Sequence, residues 1–358
     1  MRIIQLIQKP QARGAEIFAS QLSTVLENSG HQVLMISLFE GDYELPFEGK
    51  QIHLQLPQVS RLWNVSAWIK LGKIIREFKP EIVQANGADT LKYAVFARKL
   101  ITGKYQLIFN NGGVVSYYIN STLKRRFNQF LFNQVDALIS VSNYSKEDLD
   151  RFISNPKPHQ AIPIGIEFPE RPIVRKSTPF QILVHLAGFT QEKNHEGVLR
   201  IFEKFLVNHP KFQLWLMGDG PEKSKIEELV NKSSFSEKVR FFGAISNPFS
   251  LIPSNSILIL PSKIEGLPAV ILEAFHSKVA VIANKVGGIP DLIFQDHTGI
   301  LVPESDEIAF VEALDRYMDL CANAKQRLKD NAFQLVNQEY SITHSAKRFE
   351  EFYLSICE

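Results

Sequence analysis

Leu258-Ile259-Leu260-Pro261-Ser262-Lys263-Ile264-Glu265-Gly266-Leu267-Pro268-Ala269-Val270-Ile271-Leu272-Glu273 reads as one strand, one loop and the start of one helix. The apolar triplet is a short buried strand, Pro261-Ser262 ends it, and Pro268 suits the first turn of a helix, where its missing N–H has no partner to lose. Such a loop aims free backbone N–H groups outward. With the positive end of the helix dipole they favour an anion, and Gly266 lets it come close. Glu265 lies in the loop and Glu273 eight residues on, inside the helix, so each accepts hydrogen bonds from hydroxyls on a different part of one elongated ligand. A nucleoside diphosphate sugar has that shape.

The same alternation runs along the whole chain. Apolar runs at 3–7, 33–38, 81–85, 106–109, 137–141 and 160–163 are separated by segments of helical periodicity, which reads as a parallel, doubly wound sheet. The rhythm breaks at Ile166-Glu167-Phe168-Pro169-Glu170-Arg171-Pro172 and the polar residues up to Pro179, where the domain boundary is placed. A second series follows at 182–186, 212–217, 239–242, 257–260, 279–283 and 299–302, and beyond Pro303 the pattern is helical to the end. The expected fold is α/β, with two Rossmann-like doubly wound parallel-sheet domains facing a cleft and a helical C-terminus. Residues 1–168 form the N-terminal, acceptor-side domain and 169–340 the donor-binding domain, with 341–358 a helix packing back on the first. Ligands in such sheets bind outside the carboxyl ends of the strands.

Composition agrees. A chain of 358 residues exceeds one typical core, and about two domains of roughly 100 to 200 residues follow. Apolar residues make up 45% and charged residues 22%, ordinary for a globular protein. No run approaches the roughly 20 apolar residues needed to span a bilayer, and Met1 to Ile7 reads as a first strand of a cytoplasmic protein rather than a secretion signal. Cys321 and Cys357 have neither metal-site nor redox spacing. Net charge is +2 but uneven, with 19 Lys and Arg against 14 Asp and Glu up to Phe168 and 21 against 24 beyond it. No nucleic-acid motif accompanies the basic half, and no G-x-G-x-x-G opens a first helix, which disfavours nucleic-acid binding and dinucleotide oxidation.

Loops after the strands of the second half carry Ala187-Gly188-Phe189-Thr190-Gln191-Glu192-Lys193-Asn194-His195, then Gly218-Asp219-Gly220-Pro221, then Gly243, then Val286-Gly287-Gly288-Ile289-Pro290-Asp291. In this order, with the 265–273 segment, they resemble the retaining family 4 glycosyltransferases of the two-domain GT-B fold, clearly from about Gln181 to Val302. Before that the likeness is thinner. It rests on Gly14-Ala15-Glu16, where the family has a double glycine, on Gly30-His31-Gln32-Val33, and on Ser142, Ser145 and Asp148-Leu149.

The resemblance implies roles. Lys193 would neutralise the donor diphosphate without a metal, helped by helix dipoles. Glu273 would bind ribose hydroxyls, while Glu265 with the Gly266 and Leu267 amides would hold the donor sugar. Gly14, Gly188, Gly218, Gly220 and Gly243 would lie along the nucleotide, though a loop glycine as often serves only the turn. The activity implied is transfer of a sugar, with retention, from a nucleotide sugar, UDP-linked by preference and with no further cofactor, to a glycan or lipid-linked acceptor in cell-surface polysaccharide synthesis. Two alternatives stand beside it: a sugar-nucleotide epimerase of the same fold, and a donor-binding scaffold with weakened catalysis.

This chain departs from the family at three places. Phe189 stands where an arginine usually joins the lysine on the diphosphate, and Arg13, in place of an N-terminal glycine, is expected to replace it. Asn111 is the match to a histidine near the reacting sugar; it positions hydroxyls but shuttles no proton. Gln84 and Asn86 also stand where histidines are common, and Ile164-Gly165 replaces a usual Asn-Gly turn. Asp148-Leu149-Asp150 looks like a carboxylate pair for a metal, but is expected on the surface.

Two stretches combine basic and aromatic residues, Leu123-Lys124-Arg125-Arg126-Phe127-Asn128-Gln129-Phe130-Leu131-Phe132 and Arg61 through Trp63, Trp68, Lys70, Lys73 and Arg76. The commoner arrangement turns such aromatic residues into the core and leaves a solvated basic back. The other lays the helix on an anionic membrane, placing the protein at the inner face of the cell membrane, peripherally bound through its basic domain.

Overall fold

In a computed structural model, residues 1–11, 13–61, 63–101, 103–168 and 180–357 are described; the proline-rich boundary from Pro169 to Pro179 lies outside them. The elements follow as β1 (Arg2–Ile7), α1 (Gly14–Asn28), β2 (Gln32–Phe39), β3 (Lys50–Leu56), α2 (Val65–Phe78), β4 (Ile82–Asn86), α3 (Ala88–Leu100), β5 (Gln106–Asn111), α4 (Val115–Tyr118), α5 (Thr122–Asn133), β6 (Ala137–Ser140), α6 (Asn143–Asp150) and β7 (His159–Ala161). The second series is β8 (Gln181–Leu186), α7 (His195–Leu206), β9 (Phe212–Met217), α8 (Lys223–Asn231), β10 (Val239–Gly243), β11 (Ile257–Leu260), α9 (Ala269–His276), β12 (Ala280–Asn284), β13 (Ile300–Val302), α10 (Glu307–Asp319), α11 (Ala322–Glu339) and α12 (Ile342–Cys357).

Two units result, Met1–Glu167 with Tyr340–Glu358, and Phe168–Glu339. The first holds a sheet in the order β3-β2-β1-β4-β5-β6-β7 and the second a sheet in the order β10-β9-β8-β11-β12-β13, both wholly parallel. These are the two Rossmann-like sheets read from the sequence. The central strands of each are apolar on both faces because helices cover both. In each, strand order reverses once, between β1 and β4 and between β8 and β11. No helix among the described residues is long and apolar enough to cross a membrane.

One strand was absent from the sequence reading. β3 is an edge strand whose Lys50-Gln51-Ile52-His53-Leu54-Gln55-Leu56 alternates polar and apolar residues and buries only Leu54. A search for continuous apolar runs passes over such a strand. Asp148-Leu149-Asp150 also needs correcting. Asp148 and Leu149 are buried, and Asp148 accepts a hydrogen bond from the Ser116 amide at 2.9 Å, so it tethers α4 to α6; only Asp150 is exposed.

The last helix completes the first unit. Phe349 of α12 packs on Phe18 of α1 with ring centroids 5.6 Å apart, and Ile166 bonds through its backbone to Tyr340 and Ile342 at 2.9 Å each. Tyr353, fully buried, donates to Gln84 Oε1 at 2.6 Å and accepts from Gln5 Nε2 at 3.3 Å. Asn86 donates to Gln5 Oε1 at 2.9 Å, and Asn110 donates to Asn86 Oδ1 at 2.9 Å. Gln84 and Asn86, which stand where histidines are common in the family, are therefore links in a buried amide chain from α12 to the end of β5. Removing its phenolic end strands two buried amide groups. Tyr353→Phe should lower stability by roughly 1 to 3 kcal/mol in denaturant titration, with secondary structure retained.

Candidate functional site

Where strand order reverses, adjacent loops leave in opposite directions and a crevice opens at the carboxyl edge. In the second unit the two loops are those after β8 and β11, and they are stitched together. Lys263 donates from its amide to the Glu192 carbonyl at 2.8 Å, and the Asn194 side chain donates to the Pro261 carbonyl at 3.0 Å. Asn194 adopts a left-handed φ of 57° to turn the chain into α7.

This brings Lys193 and Glu265 together. The ammonium of Lys193 donates to both carboxylate oxygens of Glu265 at 2.8 Å each, with Glu265 buried and Lys193 partly exposed. A buried carboxylate without such a partner would be strongly unfavourable. The Glu265 backbone is pinned from the other side by the loop after β12. Gly287 has φ 53°, and a Cβ there would meet the Glu265 carbonyl oxygen at 1.7 Å, so only glycine allows this approach. Gly288 then donates to the same carbonyl at 3.2 Å.

Pro268 takes the N-cap position of α9, one residue ahead of the first turn, with Leu267 buried and Gly266 half-buried before it. Glu273 lies on α9. The residue is half-buried, and among the described residues its carboxylate has neither a hydrogen bond nor an ion pair. Burial pushes its pKa up from 4.5 to about 7. Such a group is poised to take hydrogen bonds from a ligand.

The glycines divide. Ala187 donates to the Met217 carbonyl at 3.0 Å, Phe189 to Asp219 at 3.0 Å and Gly218 to Gly243 at 2.8 Å, so the loops after β8, β9 and β10 lie backbone to backbone. Gly218 has φ 135°, and a Cβ would meet the Ala187 carbonyl oxygen at 2.1 Å. Gly220 sits as closely under Phe189. Both are demanded by packing, whatever lies above them. Gly188 is exposed over Asp219, and Gly243 ends β10 in open space.

Phe189, read as a lost phosphate ligand, points inward instead. It is fully buried and stacks on His195 with centroids 4.0 Å apart, while His185 meets His195 edge-on at 4.6 Å. His185 donates from Nδ1 to the Ile259 carbonyl at 2.9 Å; among the described residues neither ring nitrogen of His195 has a hydrogen-bond partner. Burial, with the charge of Lys193 adding to it, pushes His185 down to about 4, and burial with mutual repulsion pushes His195 down to about 2. Both rings stay neutral as packing groups.

In the first unit Arg13 is exposed at the N-cap of α1, with Gly14 as the helix's first residue. Glu16, one turn in, is buried. Gln11 donates to its Oε1 at 2.8 Å, Oε2 has no partner among the described residues, and burial raises its pKa against the pull of Gln11 and Arg13. The amide of Asn111 is consumed locally, donating to the Gly113 carbonyl at 2.9 Å and accepting from the Gly113 amide at 3.3 Å. Its neighbour Asn110 carries a buried Oδ1 that lacks a partner among the described residues. Sequence reasoning passed over Asn110 because alternation along β5 does not show which of two adjacent asparagines has spare capacity.

Comparison with known proteins sets this geometry in context. The family described as Glycosyl transferases group 1 matches residues 168–335, and that described as Glycosyltransferase Family 4 matches residues 12–168. The chain is 25% identical over 376 residues to the Phosphatidylinositol N-acetylglucosaminyltransferase gpi3 subunit of Schizosaccharomyces pombe, covering 97% of this chain and 79% of that protein. It is 27% identical over 359 residues to the GalNAc-alpha-(1->4)-GalNAc-alpha-(1->3)-diNAcBac-PP-undecaprenol alpha-1,4-N-acetyl-D-galactosaminyltransferase of Campylobacter jejuni, covering 95% of this chain and 97% of that one. Among solved structures, Anabaena Alr3699/HepE in complex with UDP and glucose superposes with a TM-score of 0.83 at 16% identity, covering 99% of this chain and all of the other (100%).

Two titrations test the electrostatics. With a folded pKa of about 7 against 4.5 unfolded, Glu273 disfavours the folded state in full above pH 7 and not at all below 4.5. Glu273→Gln should therefore raise the melting temperature at pH 8, the gain shrinking towards pH 4.5. The two histidines run the other way. Each has a folded pKa below its unfolded 6.5, so stability present above pH 6.5 is lost on acidification. With Glu273→Gln as the background, so that its opposite slope is absent, the unfolding free energy from guanidinium titrations should fall between pH 6.5 and 4.5 by up to about 1.4 kcal/mol per pH unit per histidine, and half as steeply when His195→Phe is added.

Proposed function

We propose that this chain, which belongs to the GT-B glycosyltransferases of the group 1 and family 4 type, moves a sugar from a UDP-linked donor to a hydroxyl of a glycan or lipid-linked acceptor with retention at the anomeric carbon. The observation that carries this reading is the Lys193–Glu265 pair, set at the β8/β11 reversal beside a helix whose Glu273 has an unmet capacity to accept hydrogen bonds.

Each group then has a task. The diphosphate lies over the exposed Gly188 and the first turn of α9, where amide groups and the dipole attract it, and it takes a share of the Lys193 ammonium. Glu273 takes the ribose hydroxyls. Glu265, relieved of part of its ion pair, turns its free capacity to the sugar hydroxyls. In the transfer step the bond between the anomeric carbon and the phosphate oxygen breaks. The acceptor oxygen bonds to the same face of that carbon, and its proton goes to the departing phosphate oxygen. No side chain has to shuttle a proton, which accords with asparagines at 110 and 111. Fixed positive charge at Lys193 and α9 stabilises the leaving nucleotide in place of a metal. Arg13 remains the proposed second cation for the diphosphate.

The UDP reading is supported by the nucleotide held by the Anabaena neighbour, and a lipid-linked acceptor by the undecaprenol- and phosphatidylinositol-containing names of the relatives. Cell-surface polysaccharide synthesis is the setting we infer.

A thermal-shift screen of nucleotide sugars, with magnesium and with EDTA, tests donor and metal together. At about 100-fold excess over Kd, the matching donor adds about 2.7 kcal/mol, equally in both buffers. Lys193→Ala and Glu273→Ala should each weaken uridine nucleotide binding roughly 10- to 100-fold, as expected for loss of a charged hydrogen bond. Proton NMR of the product should show the donor's anomeric configuration. An inverted product, or unchanged affinity in both variants, would end the proposal.

A further inference from the structure

The first unit carries its charge in blocks. Residues 49–76 contain five Lys and Arg and residues 90–135 contain seven, with no Asp or Glu in either stretch. Lys70, Lys73, Lys99, Lys124, Arg125 and Arg126 form no ion pair with a carboxylate among the described residues.

Large apolar side chains stand in solvent on the same stretches. α5 is nearly all exposed and buries only Leu131 and Phe132. Leu123, Phe127 and Phe130, spaced to share one helix face, are 80%, 37% and 38% exposed. Along the first turns of α5, basic and apolar side chains are thus exposed together, in place of the commoner arrangement of aromatic residues inward and charges outward. Val59 and Trp63, ahead of α2, are 85% and 66% exposed.

These groups join into one surface. The Trp63 ring lies 5.6 Å from Phe96 of α3, Phe96 lies 6.4 Å from Phe130, and the Lys99 ammonium sits 5.3 Å over the Phe130 ring. Tyr117 and Tyr118 of α4, exposed and edge-on at 5.1 Å, precede α5 in the chain.

We propose that this face of α5, α4 and the turn before α2 docks on an anionic lipid bilayer. A soluble polyanion accounts for the cations but gains nothing from Leu123, Val59 and Trp63. The headgroup region takes both, because apolar tips enter the acyl boundary while lysine and arginine stems reach back to lipid phosphates. The placement also has a use, which alone rests on the transferase reading. α4 and α5 follow the carboxyl end of β5, and the Trp63 turn follows that of β3, so a lipid-linked acceptor would meet the sheet at the edge where ligands bind.

The test is cosedimentation of the whole chain with vesicles of phosphatidylcholine containing about a third phosphatidylglycerol, against phosphatidylcholine alone. Binding to the anionic vesicles should weaken with salt. Leu123→Asp, and Lys124→Ala with Arg125→Ala and Arg126→Ala, should each reduce it roughly tenfold or more. Lys232→Ala, in the second unit, should leave it unchanged. Absent binding, or binding insensitive to both α5 variants, overturns the proposal. So does loss confined to the charge variant with equal competition by soluble polyphosphate, which would mark a polyanion site. The nucleotide-induced thermal shift, read on the same proteins, reports the donor site separately, so failure there counts against the transferase reading alone.

Discussion

A parallel strand can be reached from its neighbour only by a crossover that carries the chain back to the starting edge. Both sheets of this protein obey that constraint throughout, and the consequences follow in order. Helices cover both faces, so the strands are apolar on both sides. Loops that leave the carboxyl ends collect along one edge. Where the order reverses, between β8 and β11, two of those loops face one crevice, and they carry Lys193 and Glu265.

The site is held by two different electrostatic devices. Lys193 and Glu265 are already satisfied by each other, so an entering ligand competes for groups whose geometry is fixed. Glu273 is the opposite case, a carboxylate with no partner among the described residues, whose raised pKa records its burial. Binding groups left unmatched in the free protein destabilise it, and the ligand recovers that energy. The buried His185, His195 and Phe189 stack beneath supplies packing without charge.

Much of this was legible in the residues, and the rest fails for specific reasons. Strands buried on both faces announce themselves as apolar runs, and even the less buried β7 and β10 adjoin apolar residues; β3, half-exposed at an edge with alternating residues, could not be read that way. Glu265, Lys193 and Glu273 were legible because strand, proline and glycine punctuation fixed their places on loop and helix. The direction of a side chain within a loop was not. Phe189 turns inward, Asp148 is buried against a backbone amide, and Asn111 spends its amide on its own turn. The exposed face of α5 was written in the charge blocks, but periodicity alone does not say whether an aromatic stripe faces core or solvent.

The amide chain from Tyr353 to Gln5 joins residues 348 positions apart. During synthesis the first unit must therefore wait, with the groove between α1 and β4 uncovered, until the ribosome has made α12. The second unit has all its strands by then. Translation thus orders assembly against the numbering: the second unit can close first, and the first is sealed by a helix made after it.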